Sequence, residues 1–417
     1  MISYKQALQI LKKSSIAIKD EIIPSNQAVN RVLSSNVSSP TDYPSANNAA
    51  FDGFAIRSKD TRGLNKNNPK KFKVIGCIAP GNKPVSKKIN AFEAIEIMTG
   101  GILPVGLDTI IPIEQIKWDT KNKDKKFIII DRNIKKHLHV RFKGSDYKKN
   151  DLIIKKGTII QPNHILALTT LGIQKIKVKK KPNILFFSTG NEISNNTIIP
   201  SWKIRNSNSK YIHALDKSFL FNFKNGGILK DHQEKKFYSC IQNMKKNNID
   251  IIISSGAVSA GKFDFVPKVI QKFSLLNSFN HVAIRPGKPV LFAKIKKTSR
   301  VIFGLPGNPI SSAACFRFFV KPYLMQILGV PNEQPIKAIL KKEFTKKKEI
   351  TRFVKSKLTA NKNGKLELEI LQGQESFRVR SFIHSNIWAH FPSGKSSFQN
   401  GDIIDCYIPH ISNNNII

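Results

Sequence analysis

Apolar positions change their spacing several times along the chain, and each change marks a candidate segment. Tyr4, Leu8 and Leu11 fall at i, i+4 and i+7, which predicts a short amphipathic helix over residues 4–13. The stretch SSPTDYPSANN at 38–48 is rich in Ser, Pro and Asn and predicts a loop or linker. From residue 51 onward helical spacing gives way to short apolar runs, FKVIGCIA, AIEIMTG, TIIPIEQI and KFIIID, separated by Gly, Pro and Asn/Lys turns. This is the pattern of a mostly β module. NDLIIKKGTIIQPNHILALTTLG (150–172) returns to a helix with Ile165, Leu168 and Leu171 on one face. Packed against the N-terminal helix, that segment would make the β module an insertion.

Beyond residue 182 strands and helices alternate. NILFFSTG (183–190), GGILKD (226–231), DIIISSG (250–256), PVLFAKI and VIFGLPG read as strands. SKYIHALDKSFLFNF reads as a helix with Ile212, Leu215, Phe219 and Phe223 in one stripe. FYSCIQNMKK, VPKVIQKF and PISSAACFRFFVKPYLMQILG are further helices, the last aligning Phe316, Val320, Tyr323 and Ile327. Continuous apolar strands alternating with helices indicate a parallel α/β sheet. After residue 330 the pattern is β again. Asn363-Gly364 followed by alternating Leu366, Leu368 and Ile370 is a hairpin signal, DIIDCYIP is the expected last strand, and the tail ISNNNII is expected to be loose.

Composition adds limits. At roughly 100–200 residues per domain, 417 residues give two to four domains. The 69 basic and 28 acidic residues leave a formal charge of +41. Such a balance often signals nucleic acid, but the lysines are spread along the whole chain among Asn and Ile rather than gathered in one arm. An evenly charged, solvated surface that attracts small anions is the simpler reading. Cys77, Cys240, Cys315 and Cys406 form no CxxC pair, which argues against a zinc ribbon and fits a reducing cytoplasm. No secretory signal or membrane-spanning run is expected.

Ligands of open parallel sheets bind at the carboxyl ends of strands, and four such ends carry polar residues. FSTGNEI (187–193) stops at a Gly turn and leaves Ser188, Thr189, Gly190, Asn191 and Glu192. SSGAVSAGKFDF (254–265) offers Ser255, Gly256 and Ser259, small enough for backbone N–H groups to approach an anion, and Asp264, an oxygen ligand for Mg²⁺. AIRPGKP (283–289) presents Arg285 and Lys288 on a stiff loop suited to an oxyanion. In GLPGNPIS (304–311), Pro306, Gly307 and Asn308 lead into a helix with Pro309 at its first position and Asn308 as its cap, so the N–H groups of the helix start would face an anion. There is no Walker A loop, GxGxxG fingerprint or GxSxG elbow.

In this order, SSGAVSAGKFDF, RPGKP and GLPGNPIS resemble the molybdenum cofactor biosynthesis family, which includes molybdopterin adenylyltransferases and molybdenumtransferases. AFDGFAIRSKD (50–60), AIEIMTGGILPVGLDTIIPIEQI (94–116) and VRFKGSDY (140–147) resemble signatures of the transferase branch, and single-domain adenylyltransferases lack this front half. The resemblance implies a multidomain α/β fold. Its parts would be a discontinuous helical/β N-terminal domain (1–45 plus 148–178), an inserted β module (46–147), an adenylyltransferase-like α/β domain with a mostly parallel sheet (179–329) and a C-terminal β-barrel-like domain (330–417). It also implies a homodimer, contact with other proteins of the same biosynthesis, and molybdenum insertion from molybdate into adenylylated molybdopterin with AMP release and Mg²⁺. Residue by residue, Asp52, Thr99 and Asp146 match the transferase signatures. Glu192, Asp231 and Asp264 match acidic positions of the α/β domain, Asp264 and Asp231 on the metal side, and Arg285 and Lys288 match its cations. The chain departs from the family at Phe51 (usually Met), Glu96 (often Arg), Ser145 (usually Glu), Ala257 (Gly) and Arg285 (Lys).

Two other classes fit parts of the sequence: a non-catalytic scaffold that keeps this fold, and a charge-driven nucleic-acid binder. The first expects a long linker or fused module, the second a helix-turn-helix or an aromatic–basic stripe, and the sequence shows none of these. His137 and His139 would point the same way from a strand, but without a third ligand nearby HLH reads as surface β structure rather than a metal pair. If the charge is only a solvated surface, titration with random duplex DNA at about 0.15 M salt will give binding no tighter than the ~10⁻⁴–10⁻⁶ M of non-specific contact.

Overall fold

The computed structural model describes residues 1–119, 126–216, 220–258 and 264–409. Phe219, Ser259 and the tail ISNNNII lie outside them. The chain divides into two compact units. One comprises Met1–Ser35, Lys155–Ile165 and Gln174–Ile417, the other Asn36–Ile154 and Leu166–Ile173.

Within the larger unit, the helix Tyr4–Lys13 starts with a capping box in which Ser3 and Gln6 satisfy each other's end of the first turn. Its main partners are the helix Lys321–Leu328 and the strand Leu275–Asn280, rather than the 150–172 segment expected from sequence. Tyr323 donates its hydroxyl to the Ser14 carbonyl at 2.9 Å, and Gln326 donates to the Lys12 carbonyl. Shortly after this helix the strand Asp20–Pro24 pairs antiparallel with Lys175–Lys179, so chain segments far apart in sequence run side by side.

The central sheet has the strand order Asn222–Leu229, Asn183–Thr189, Ile251–Ser255, Val301–Leu305, Leu291–Ile295, Leu275–Asn280. The first four run parallel, and Leu291–Ile295 runs against both of its neighbours. The strand period of two sends Ile251 and Ile253 to one face and Ile252 to the other. On the first face lie Ile212 and Leu215 of the helix Ser207–Asp216 and the helical stretch from Pro309 to Leu328. On the second lie Phe237 and Ile241 of Glu234–Gln242 with Val266, Val269 and Ile270 of Phe265–Gln271. Burial on both faces explains why these strands read as unbroken apolar runs. One expected helix is shorter than its pattern. Ser207–Asp216 is helical, but Phe223 belongs to the strand Asn222–Leu229, where its ring lies 5.9 Å from that of Phe186. An apolar residue at helical spacing also fits a strand that follows directly, and periodicity cannot separate the two.

The C-terminal strands close on themselves. Thr351–Ala360, Leu366–Ile370, Ile336–Leu340, Ile403–Tyr407 and Ile387–Phe391 pair in sequence around the ring, and the last returns to the first. Gly364 has φ +74°, as the hairpin turn requires. Val354, Leu368, Leu340, Phe391 and Ile404 fill the interior.

The smaller unit carries a six-stranded sheet in the order Thr109–Pro112, Gly53–Ile56, Glu93–Ile97, Lys70–Ile78, Phe127–Ile130, Lys117–Trp118. Phe54, Ile56, Phe72, Ile111 and Ile128 face one core, and Ala55, Ile78, Ile95, Ile97 and Ile110 another. The fully buried strand Gly53–Ile56 sits between two neighbours although only four residues long. His137 and His139 lie in a turn with φ +68° and +56°, so the strand geometry that would align them is not formed. Among the described residues no group of three His, Cys, Asp or Glu could hold a metal. No described helix is long and apolar enough to cross a membrane.

His390 packs in the barrel wall against Phe353, Tyr4 and Tyr407. Burial above all, with Lys346 adding to it and Asp405 opposing, lowers its pKa to about 4. The unfolded chain therefore takes up a proton between about pH 6.5 and 4 that the folded chain refuses, and stability falls as the pH drops through that window. The loss is about 3 kcal/mol. Urea unfolding of His390→Phe between pH 7 and 4 should show a shallower acid decline than the parent.

Candidate functional site

Sheet order locates the site before any side chain does. The chain leaves Asn183–Thr189 for a neighbour on one side, Asn222–Leu229, and later for one on the other, Ile251–Ser255. Loops after these strands diverge and leave a crevice at their carboxyl ends. A cavity of about 560 Å³ occupies it, within the ~300–1,000 Å³ of small-molecule sites. Its walls are the ends of three parallel strands, around Thr189, Gly256 and Gly307, closed by the segment from Ile204 to Asn208.

The three strand ends meet closely because their residues are small. Gly256 has φ +98°, and a Cβ there would run into the carbonyl and hydroxyl of Thr189. Ser255, almost fully buried, donates its hydroxyl to the Pro306 carbonyl at 3.1 Å, and Thr189 donates to the Ser255 carbonyl at 3.0 Å. Asn208 then spans the gap, its amide donating to Ser255 Oγ at 2.7 Å and to the Gly307 carbonyl at 2.8 Å. On the other side Ser188 donates to Asn206 Oδ1 at 2.6 Å. Neither asparagine was singled out in the sequence. RNSN contains no residue type peculiar to catalysis, and only the fold brings it over the strand ends. Ala257 sits at φ +52°, a backbone region that L side chains enter at some cost.

Glu192, Asp231 and Asp264 all line this cavity. The Glu192 carboxylate folds back over Gly190, whose φ of +133° and missing side chain leave room for it. Asp231 accepts from the Asn191 amide at 2.7 Å, and Lys230 donates to the carbonyls of Asn191 and Ile193, so the Asn191 turn is fastened from beneath. Ser188, Thr189, Gly190, Ser255, Gly256, Pro306, Gly307 and Asn308 line the cavity as the strand-end argument expects.

Arg285 and Lys288 are exposed and are not among the lining residues, although Pro289 is. Arg285 pairs instead with Arg352 across two parallel strands, because the Pro-flanked loop joins the edge of the C-terminal sheet. Asn308 does occupy the cap position before Pro309, but its side chain does not cap the helix. It donates to Ser376 Oγ at 3.1 Å, and the Ile310 N–H donates to the Ser376 carbonyl, so the helix start is partly covered rather than open.

In the smaller unit Asp52 precedes the strand Gly53–Ile56, and its Oδ1 accepts both the backbone N–H of Thr99 at 2.6 Å and the Thr99 hydroxyl at 2.7 Å. These two bonds hold the Asp52 carboxyl below its usual range. Gly53 is obligatory, because a side chain there would overlap the Ile111 carbonyl of the next strand. Asp146, like Asp52 and Thr99, is exposed, and its N–H donates to the Tyr43 carbonyl.

Comparison with known proteins identifies the family. Residues 2–172 match the MoeA N-terminal region (domain I and II), 186–326 a probable molybdopterin binding domain, and 337–408 the MoeA C-terminal region (domain IV). A molybdopterin molybdenumtransferase of Staphylococcus aureus is 31% identical over 408 residues, 97% of this chain and 94% of the relative. One from Staphylococcus epidermidis is 33% identical over 415 residues, with the same coverage. The crystal structure of a molybdopterin biosynthesis moeA protein from Pyrococcus horikoshii superposes with a TM-score of 0.82 at 27% identity, covering 98% of this chain and 100% of the other. Fold and sequence thus define a protein of molybdenum cofactor biosynthesis. Within that class the chain belongs to the MoeA family, the molybdopterin molybdenumtransferases.

Asn208→Ala would strip a part-buried donor from Ser255 and Gly307 at once, and each unmade bond costs about 1 kcal/mol. Urea unfolding of this variant should show a loss of about 1–2 kcal/mol.

Proposed function

We propose that this chain transfers molybdenum from molybdate to adenylylated molybdopterin, releasing AMP. The observation that carries the reading is the cavity at the sheet's crevice, where three carboxylates face loops of Gly, Ser and Asn able to approach a phosphate. Thr189, Ser255 and Gly256, whose own donors are bonded within the turns, are small enough for the anionic ligand to approach the strand ends closely, and Ile204 with Ile193 gives its ring an apolar wall. Arg285 and Lys288, exposed beside Pro289, attract and hold the oxyanion from outside the lining.

Mg²⁺ commonly binds through one or two carboxylates together with substrate phosphate oxygens and water. Asp264 and Asp231 fit that mode, since both line the cavity. When bound, the ion would neutralise phosphate charge. Glu192, free to turn over Gly190, handles the proton of an attacking water. Asp52, its carboxyl held below the usual range by the Thr99 bonds, and Asp146 form an acceptor set of the β module. A homodimer would let one subunit's module serve the other's α/β domain, with the four domains bounded as the sequence suggests. Cytoplasmic residence and contact with other proteins of the pathway complete the reading.

Glu96 and Ser145 change charge near the signatures but leave Asp52, Thr99 and Asp146 in place. Reconstitution with adenylylated molybdopterin, molybdate and Mg²⁺ should release AMP. Asp52→Ala and Asp264→Asn should each lower kcat at least a hundredfold, as expected for loss of a general acid–base or metal-binding group. Absence of AMP release by the parent protein, or equal rates in all three, would overturn the proposal.

A further inference from the structure

One buried charge outside the cavity has an unusual set of partners. Lys355, in the strand Thr351–Ala360, is 1% exposed. Its Nζ donates to the carbonyls of Gly373 at 2.7 Å, Arg378 at 3.1 Å and Glu375 at 3.3 Å. Only the ammonium form has three N–H donors for three acceptors, because a neutral amine keeps two. The same loop is fastened a second time. Gln374 accepts the Lys355 N–H and donates to the carbonyls of Lys355 and Leu371, and Ser381 donates to the Gly373 carbonyl. Between the gripped carbonyls of Glu375 and Arg378 lies Ser376, whose carbonyl takes the Ile310 N–H and whose hydroxyl takes the Asn308 amide. Asn308 is a wall of the cavity.

We propose that Lys355 is a positioning residue for the site. It clamps the loop 373–378 of the C-terminal β domain, so that Ser376 orients Asn308 and covers the start of the helix Pro309–Cys315. The inference rests on reading the cavity as the adenylyl-phosphate site. Burying an ammonium without acceptors is strongly unfavourable, so the charge and the three carbonyls hold one another in place. The three acceptors are backbone carbonyls of one loop, which the ammonium shapes together with the Gln374 and Ser381 bonds. The clamp also gives the site a pH dependence. Burial holds the Lys355 pKa down to about 8, with Glu375 opposing and Arg378 adding. Loss of the proton above that value leaves three carbonyls sharing two donors, with Glu375 and Arg378 the charged groups facing the amine.

The test uses the full-length protein, with hydrogen exchange at the Ile310 and 373–378 amides and calorimetric titration with AMP. In Lys355→Met, exchange at Ile310 should quicken and AMP binding should weaken about tenfold. The affinity of the parent should fall as the pH rises through about 8, while that of Lys355→Met stays flat. Ser376→Ala leaves the clamp intact and cannot prevent folding through it, so it serves if Lys355→Met does not fold. It should weaken AMP binding in the parent and add little in the Lys355→Met background. Unchanged Ile310 exchange in Lys355→Met, or full additivity of the two substitutions, would overturn the clamp. If only Ser376→Ala can be studied, unchanged AMP affinity would overturn it. Parent protein that fails to bind AMP would instead count against the reading of the cavity, and the exchange data would still decide the clamp.

Discussion

The site depends on how closely three backbone turns can approach one another. Thr189, Gly256 and Gly307 end three adjacent parallel strands, and any side chain larger than hydrogen on Gly256 would strike Thr189. At that separation the loop carbonyls turn toward each other and must be bonded, since unpaired buried polar groups are costly. Ser255, Thr189 and Asn208 do this with short hydroxyls and one amide. The Gly256 N–H is bonded as well, to the Leu305 carbonyl at 2.9 Å. Close approach of the turns and full pairing of their polar groups are thus met by one choice of residue size.

Much of this arrangement could be read from sequence, for reasons that differ by region. Parallel strands buried on both faces produce unbroken apolar runs, so NILFFSTG and DIIISSG declared themselves, and the strand-end rule then pointed to Ser188, Ser255 and Gly307. The strand Gly53–Ile56 was harder. Its four residues are too few to show a period, and its central place follows from pairing with two distant neighbours. Phe223 was assigned to a helix because one apolar residue at the right spacing is all that a helix stripe and a strand start have in common.

The site residues divide in the same way. Carboxylates and glycines announce chemistry by type, and Glu192, Asp231 and Asp264 do meet in one cavity. Asn206 and Asn208 are ordinary by type and become informative only through their partners. The Asn308 side chain does not cap the helix because the Ser376 carbonyl takes the Ile310 N–H that the cap oxygen would accept, while the Ser376 hydroxyl accepts from the Asn308 amide. Local propensity describes what an amide would do alone, and the C-terminal domain supplies the competing hydrogen bond.

The pairing of Asp20–Pro24 with Lys175–Lys179 has a consequence for the architecture. It sets the departure and return of a long excursion side by side within the larger unit. The entropy of closing such a loop grows only with the logarithm of its length. Once the two strands are zipped, lengthening or trimming the segment between them changes that closure cost by a fraction of a kcal/mol. The fold therefore has a docking port for whole modules at this point, where sequence can be gained or lost in blocks while the α/β layers keep their register.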